Sequence, residues 1–547
     1  MNLRELLYGE GTEFDRNKGC FPQTHVKFLD TIICWVNNPE PSSPRVLVLF
    51  GQAGTGKSAI AHEIAHLYNC MNHLTTSYFF VRNNPSGHEP YRFFTTLAQD
   101  LCRISPAFRA ALANIINLKP WLVHVRNYTT LVESLLQDPI KDLSFVGPVF
   151  IVIDALDENE DAFHKRLYAG RNSIPFHTAL LQWISKLPSN FRILITSRPE
   201  RELENTFSES SLIHRIYMDD CQLGDRVNDD VLIFMQTKLH TVNICENDLQ
   251  KLVERAEGLF QWASVACDYI AHPPPGLESK DCIQRILHPS ESKKFLGLNP
   301  LDELYTTVLE RFNMNDSIIC SKFQSVMKLI LGVFKPLSVI GLNMMHKLGF
   351  TENGSIDISV IVKDLGSLLS HVGPSESELP ITPLHTSFWD FLTDQNRSHD
   401  FFINMDGIHD KFTMATLQVM LAKLEFNICK LETSFCLNNE VADLKERIEK
   451  YIPSALSYSC HFWADHLASM SNYDSDIFKL LQIFMEEKFL FWLEVLSVKG
   501  ELAIAKPALL VLQKWLSQIS NPTNVSTSRS IFTYFNRSWF RLKKYTP

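Results

Sequence analysis

Apolar residues in the first 220 positions fall into short continuous runs separated by longer stretches of helical spacing. Residues 46–50, 77–81, 149–153 and 193–196 are four such runs. Continuous rather than alternating apolar character predicts strands covered on both faces, as in a parallel sheet with helices above and below. Between them, residues 58–67, 91–104 and 178–186 place apolar side chains at helical intervals. Strands alternating with helices predict a doubly wound α/β domain, with residues 212–217 as a candidate fifth strand. A lead-in helix is expected over residues 25–36, with Phe28, Ile32, Ile33 and Trp35 near one side, and the proline-rich turn at 37–44 ends it.

Beyond Asp220 the texture changes. Helical patterns dominate at 231–239, 248–256 and 260–270, and His272-Pro-Pro-Pro-Gly276 breaks the chain. Several helices and a short strand near 381–384 are expected between 301 and 392, and the remainder reads as helical without a fixed-period repeat. A chain of 547 residues suggests roughly three to five domains. With 45% hydrophobic and 21% charged residues it is a packed globular protein.

The net charge of -9 argues against a dedicated nucleic-acid binder, and the short basic, aromatic tail Arg537-Ser-Trp-Phe-Arg-Leu-Lys-Lys544 reads as a solvated end. The 12 cysteines form no C-x-x-C, which removes zinc-knuckle and thioredoxin-like readings. The first fifteen residues carry charges throughout and lack the apolar core of a secretory leader. No uncharged apolar run approaches the ~20 residues needed to span a bilayer. A cytoplasmic protein with reduced cysteines, without membrane or nucleic-acid partners, is expected.

The most specific chemical signal follows the first strand. Gly51-Gln-Ala-Gly-Thr-Gly-Lys57-Ser58 matches G-x-x-x-x-G-K-[ST] between a predicted strand and a predicted helix. Gly51, Gly54 and Gly56 let the backbone amides around Thr55 curl about a phosphate, and the helix that follows turns its positive end to the anion. Lys57 is the candidate contact to the β- and γ-phosphates, and Ser58 the candidate Mg²⁺ ligand. A second signal is Asp154, delivered at a strand's C-terminal end, where it could hold the same metal. Asp157 and Glu158 follow, with Glu158 favoured as general base and Asp157 as its polar support; solvated loop carboxylates are the alternative. In the third signal a strand ends in Thr196-Ser197-Arg198, placing a cation where it could sense a γ-phosphate. No guanine-reading N-K-x-D or T-K-x-D tetrapeptide occurs, since Asn17-Lys18-Gly19-Cys20 and Thr237-Lys238-Leu239-His240 both fail, so ATP is favoured over GTP. His62-Glu63-Ile64-Ala65-His66 spells the zinc-peptidase pattern, but it lies on the helix behind the phosphate loop, where Ile60, Ile64 and Leu67 form the core stripe, and no third ligand follows at the required spacing.

These residues resemble the NACHT class of STAND signalling ATPases, in particular the fungal group described as nephrocystin-3-like at the N-terminus. The resemblance runs from about Cys20 to about residue 515. It is carried by the phosphate loop, by Asp154-Ala-Leu-Asp157-Glu158 and by Ile195-Thr-Ser-Arg198. Gly258-Leu-Phe-Gln-Trp-Ala263, Leu384-His385-Thr-Ser-Phe-Trp-Asp-Phe-Leu392 and Cys460-His-Phe-Trp-Ala-Asp-His-Leu467 are also similar. Gln23 and His25 stand where relatives usually show Gly and Arg, and Gln52 where Pro is usual.

The resemblance implies a lead-in segment (1–42), an α/β P-loop NTPase domain with a parallel sheet of the ASCE type (43–218), a helical domain (219–300), a winged helix (301–395), and a second all-α domain with the tail (396–547). It further implies an ATP/ADP switch with Mg²⁺, slow hydrolysis acting as a timer, self-association on activation and an unidentified protein partner, of the kind found in innate-immunity-like or non-self recognition signalling. A binding scaffold that does not hydrolyse nucleotide is the alternative. His385 matches the winged-helix histidine that contacts the β-phosphate of ADP in related receptors; a helix-capping or core histidine is the other reading of that residue.

Overall fold

A computed structural model describes residues 6–518 except 7, 10, 41, 81–89, 126, 142–148, 159–174, 209, 219–226, 275, 289–298, 351–355, 374–375, 434–436 and 471–473. Val81, at the end of one predicted strand, and the basic tail 537–544 lie outside the described residues. The chain divides into two compact units, residues 1–308 with 385–387, and residues 309–384 with 388–547.

The first unit is built on a five-stranded parallel sheet: β1 Val46–Phe50, β2 Leu74–Phe79, β3 Val149–Asp154, β4 Phe191–Ser197 and β5 Ile213–Tyr217. Their order is β2-β3-β4-β1-β5, so β4 separates the strand before the phosphate loop from the strand that ends in Asp154. Val46 pairs with Ile193 on one side and Ile213 on the other, and Val149 pairs with Phe191. Alternate residues serve different cores. Val46, Val48, Phe50, Ile151, Ile153, Ile193 and Ile195 pack beneath helices Pro90–Ile104 and Phe176–Ser185. Leu47, Leu49, Phe150, Val152 and Leu194 pack beneath α1 (Val26–Val36) and α2 (Lys57–Cys70). Two covered faces are the physical reason for the continuous apolar runs.

The edge strand β2 does not lie bare. Thr12 O accepts the Phe79 N–H at 2.8 Å, and the Phe14 N–H donates to Ser77 Oγ at 3.1 Å. The expected lead-in thus covers a sheet edge that would otherwise offer unpaired backbone groups. Helix Pro106–Leu118 has no counterpart among the predicted elements, although Ser105 caps it by accepting the Phe108 N–H and Pro106 occupies its first turn. Helices Val227–Lys238, Glu246–Ala256, Phe260–Ala271 and Ser279–Leu287 follow the sheet.

The described residues of the second unit are mainly helical. Ser317–Gly332, Val339–Gly349, Ile408–Lys423 and Ser454–Ala468 are its principal early helices, with Ser475–Ile483, Phe489–Val498 and Ala505–Gln518 after them. Two of these helices approach closely at Gly349, where an added Cβ would lie 2.2 Å from the Ala415 Cβ. The strand expected near 381–384 does not form. Only isolated bridges occur, Ser338 to Pro380 and Leu369 to Pro383, because each proline lacks the N–H that a ladder needs. No described helix is long and apolar enough to cross a membrane.

Candidate functional site

The phosphate loop leaves β1 at Gly51, whose N–H donates to Ser197 O at the end of β4 (3.3 Å). Gly54 (φ +86°) and Gly56 (φ +96°) adopt left-handed backbone that a side chain would strain. Both are also crowded: a Cβ on Gly54 would lie 2.8 Å from the Gln261 Cβ, and one on Gly56 only 2.3 Å from His25 Nε2. The Gly54 carbonyl accepts the Gln261 N–H at 3.1 Å, so the start of helix Phe260–Ala271 braces the loop from outside. Gly56 caps α2 without a side chain of its own to accept the helix's first amides, as suits an anion at that end.

Thr55 Oγ1 donates to Gln52 O at 3.0 Å and locks the turn. Lys57 Nζ donates to Gly51 O and Gln52 O, each at 2.7 Å, which holds the ammonium over the loop. Asp154 is buried at the end of β3, and Thr196 Oγ1 donates to its carboxylate while accepting the Ala155 N–H at 3.0 Å. Burial raises the Asp154 pKa; the Thr196 and Ser58 hydroxyls and the Lys57 charge work against that, and Asp157 adds to it. Lys57, Ser58 and Asp154, separated by about a hundred positions in the chain, therefore act on one another electrostatically. A buried carboxylate beside a hydroxyl and an ammonium, facing a loop of amide donors, fits a Mg²⁺-bound polyphosphate.

Asp157 and Glu158 form a single helical turn, entered through Ala155 at φ +54°. Asp157 is an anchor: its Oδ1 accepts the Arg198 N–H (3.0 Å) and the Ser197 hydroxyl (3.3 Å), and its Oδ2 pairs with Arg198 Nε (3.1 Å). Glu158 is buried, with Oε1 4.0 Å from Arg198 Nη2. Arg198 Nη2 also donates to Thr386 Oγ1 at 3.2 Å.

His385 lies in the first unit with Thr386 and Ser387. Its Nδ1 accepts the Ser387 N–H (3.1 Å), as a helix-capping side chain does, and Ser387 Oγ lies 2.6 Å from that nitrogen and 2.8 Å from Tyr305 OH.

Sequence reasoning gave Thr196 no role of its own. Its signal was the register: Ile153 pairs with Ile195, so the next residues along, Asp154 and Thr196, are neighbours. Thr386 and Gln261 fall within the segments 384–392 and 258–263 that carry the resemblance, but only the tertiary fold brings them to Arg198 and to the phosphate loop. His25 was noted for its departure from relatives. The fold shows it buried against Gly56, with no hydrogen-bond partner for Nδ1 among the described residues and burial lowering its pKa to about 4. The zinc-peptidase pattern is consumed by packing, and its first histidine is buried rather than turned away from the core. His62 stacks on Phe79 at 3.9 Å while its Nδ1 accepts the Asp15 N–H (3.0 Å), and His66 lies 3.8 Å from Cys70 Sγ.

No curated protein matches the chain. Among solved structures, that of C. elegans PCH-2 is similar at a TM-score of 0.26 and 15% identity, over 54% of this chain and 69% of that chain. A family model described as Nephrocystin 3, N-terminal, matches residues 26–198. That span begins with α1, contains the phosphate loop and Asp154, and closes on Arg198, so residues 26–198 form a nephrocystin-3-like N-terminal domain.

Proposed function

We propose that the first unit binds Mg²⁺-ATP and ADP and works as a signalling switch of the STAND class. The observation that carries this reading is the convergence of Lys57, Ser58 and buried Asp154 on the loop that opens α2. Gly51, Gly54, Thr55 and Gly56 would supply the backbone cradle, Lys57 the charge that separates a polyphosphate from other anions, and Ser58 with Asp154 the metal ligands. Bound Mg²⁺ would neutralise the β- and γ-phosphates and fix their orientation. Glu158 would orient or deprotonate the attacking water, with Arg198 held in register by Asp157. His385 would report on the nucleotide from the segment that joins the first unit.

The finer assignment goes with this reading: a NACHT domain at 43–218, a helical domain at 219–300, a winged helix at 301–395 and a second helical domain at 396–547. So do cytoplasmic location, self-association on activation, a protein partner, and a role in innate-immunity-like or non-self recognition. A second reading, a nucleotide-binding scaffold that does not hydrolyse, is favoured by one observation. Arg198 lies against both Asp157 and Glu158, so the candidate base already has a cation beside it. The test of nucleotide binding is the identity of any nucleotide released from the purified chain. ADP or ATP in wild type, and neither in Lys57→Ala, is the expected outcome. Equal nucleotide content in the two would count against the reading.

A further inference from the structure

We infer that Thr386 is a positioning residue for Arg198, and that it sets how strongly the site distinguishes a nucleoside triphosphate from a diphosphate. The inference rests on the nucleotide-binding reading above and deepens it. Arg198 reaches from the end of β4 with its side chain 26% exposed, and its guanidinium meets two kinds of partner. Nε is paired with Asp157 Oδ2 at 3.1 Å, close to its own strand. Nη2 is 4.0 Å from Glu158 Oε1 but donates to Thr386 Oγ1 at 3.2 Å, across 188 positions of sequence. The nearer Nη2 partner is therefore a neutral hydroxyl that the local motif does not supply.

That hydroxyl is well anchored. Residues 385–387 group with the first unit, although the residues flanking them in sequence group with the second. Ser387 is 2% exposed and lies 2.8 Å from the OH of fully buried Tyr305. The Ser387 N–H is taken by His385 Nδ1. Thr386 thus presents its oxygen from the first turn of helix Thr386–Thr393, with His385 and Ser387 fixed on either side of it, and the acceptor is aimed rather than free to follow the guanidinium.

A planar guanidinium has five N–H donors in a fixed fork, so where it points follows from which acceptors hold it. Asp157 holds the Nε edge, and Thr386 holds Nη2. A γ-phosphate that draws the guanidinium out of the position set by Asp157 and Thr386 breaks the bond to the threonine, whereas a diphosphate makes no such demand. The Arg198–Thr386 bond therefore opposes triphosphate binding selectively, and a ligand shifts an equilibrium only by its differential interaction with the two arrangements. Losing a hydrogen bond to a charged group, discounted for the partial exposure of Arg198, corresponds to about a threefold to tenfold change in an equilibrium constant.

The test uses the full chain, stripped of nucleotide, and measures affinity for Mg²⁺-ADP and for the non-hydrolysable β,γ-imido analogue of ATP. Thr386→Val, which keeps the shape and removes the acceptor, should shift the affinity ratio toward the triphosphate by about threefold to tenfold. Thr386→Ser should restore the wild-type ratio, which a simple packing role would not require. In an Arg198→Ala background, Thr386→Val should have no effect on the ratio. Thr386→Ala gives a second route to the same loss if the valine variant folds poorly. A ratio unchanged in both acceptor-free variants, or a shift that persists without Arg198, overturns the inference while leaving nucleotide binding intact. Failure of the wild type to bind either probe would instead remove the nucleotide reading itself.

Discussion

Asp157, Glu158 and Thr386 show how the charge of Arg198 is divided among three partners. The sequence pattern placed both carboxylates after a buried strand and the arginine at the end of another, and those positions could be read from apolar run lengths. The pairing could not, because it depends on β3 and β4 being neighbours and on the tight turn through Ala155 at φ +54°. The fold assigns Asp157 to holding the Arg198 backbone and side chain. Glu158 remains the carboxylate with the weaker arginine contact, at 4.0 Å. If it acts as the base, Glu158→Gln should retain Mg²⁺-ATP binding and lose about a hundredfold or more of turnover in a phosphate-release assay. Unchanged turnover would move the base elsewhere.

At the scale of elements, strand positions were legible because each central strand is buried on both faces, and helix Pro106–Leu118 was missed because apolar residues on its exposed side, such as Leu118, blur the stripe that its buried face forms. Only Phe108, Leu112 and Ile116 are buried in it. The departures at Gln23 and His25 acquire a physical meaning from the backbone. Gln23 has φ +69° and His25 φ +57°, the left-handed region, so the glycine usual in relatives would relieve strain at position 23. The same turn seats the His25 ring against Gly56, between the lead-in and the phosphate loop. Gly56→Ala should therefore lower both the thermal midpoint and nucleotide affinity, since it meets the His25 ring and an unfavourable φ together. Adding His25→Ala should recover part of the loss by removing the clash while the backbone strain persists. A Gly56→Ala chain that melts and binds like wild type would refute this account of the loop.

For the whole molecule, buried histidines in both units tie stability to pH. Burial lowers the pKa of His25 and His62 to about 4, and also lowers those of His346, His409 and His466. In the second unit, His466 is fully buried, with Nε2 2.7 Å from Tyr458 OH and Nδ1 2.9 Å from His409 Nδ1. A histidine with a depressed folded pKa binds fewer protons folded than unfolded. Its stabilisation is complete above the unfolded value near 6.5 and is lost as pH falls below it toward the folded value. Asp100, Asp154 and Asp268, whose pKa values burial raises, act in the opposite sense, starting from the lower carboxylate range. The apparent melting temperature should fall between pH 7.5 and pH 5; a flat or rising profile would contradict this reading of the histidines. The order of elements was readable along the chain, but the grouping of His385–Ser387 with the first unit was not, because the periodicity of helix Thr386–Thr393 does not tell which neighbours its first residues meet. The central claim, that Lys57, Ser58 and Asp154 hold one Mg²⁺-bound polyphosphate, is tested most directly by calorimetric titration of Mg²⁺-ATP into the nucleotide-free full chain. Saturable binding to the wild type, weakened by at least about a hundredfold in Lys57→Ala, is the result predicted from removing a charge-assisted phosphate contact. Equal affinity in the two chains, or no heat of binding in the wild type, would contradict it.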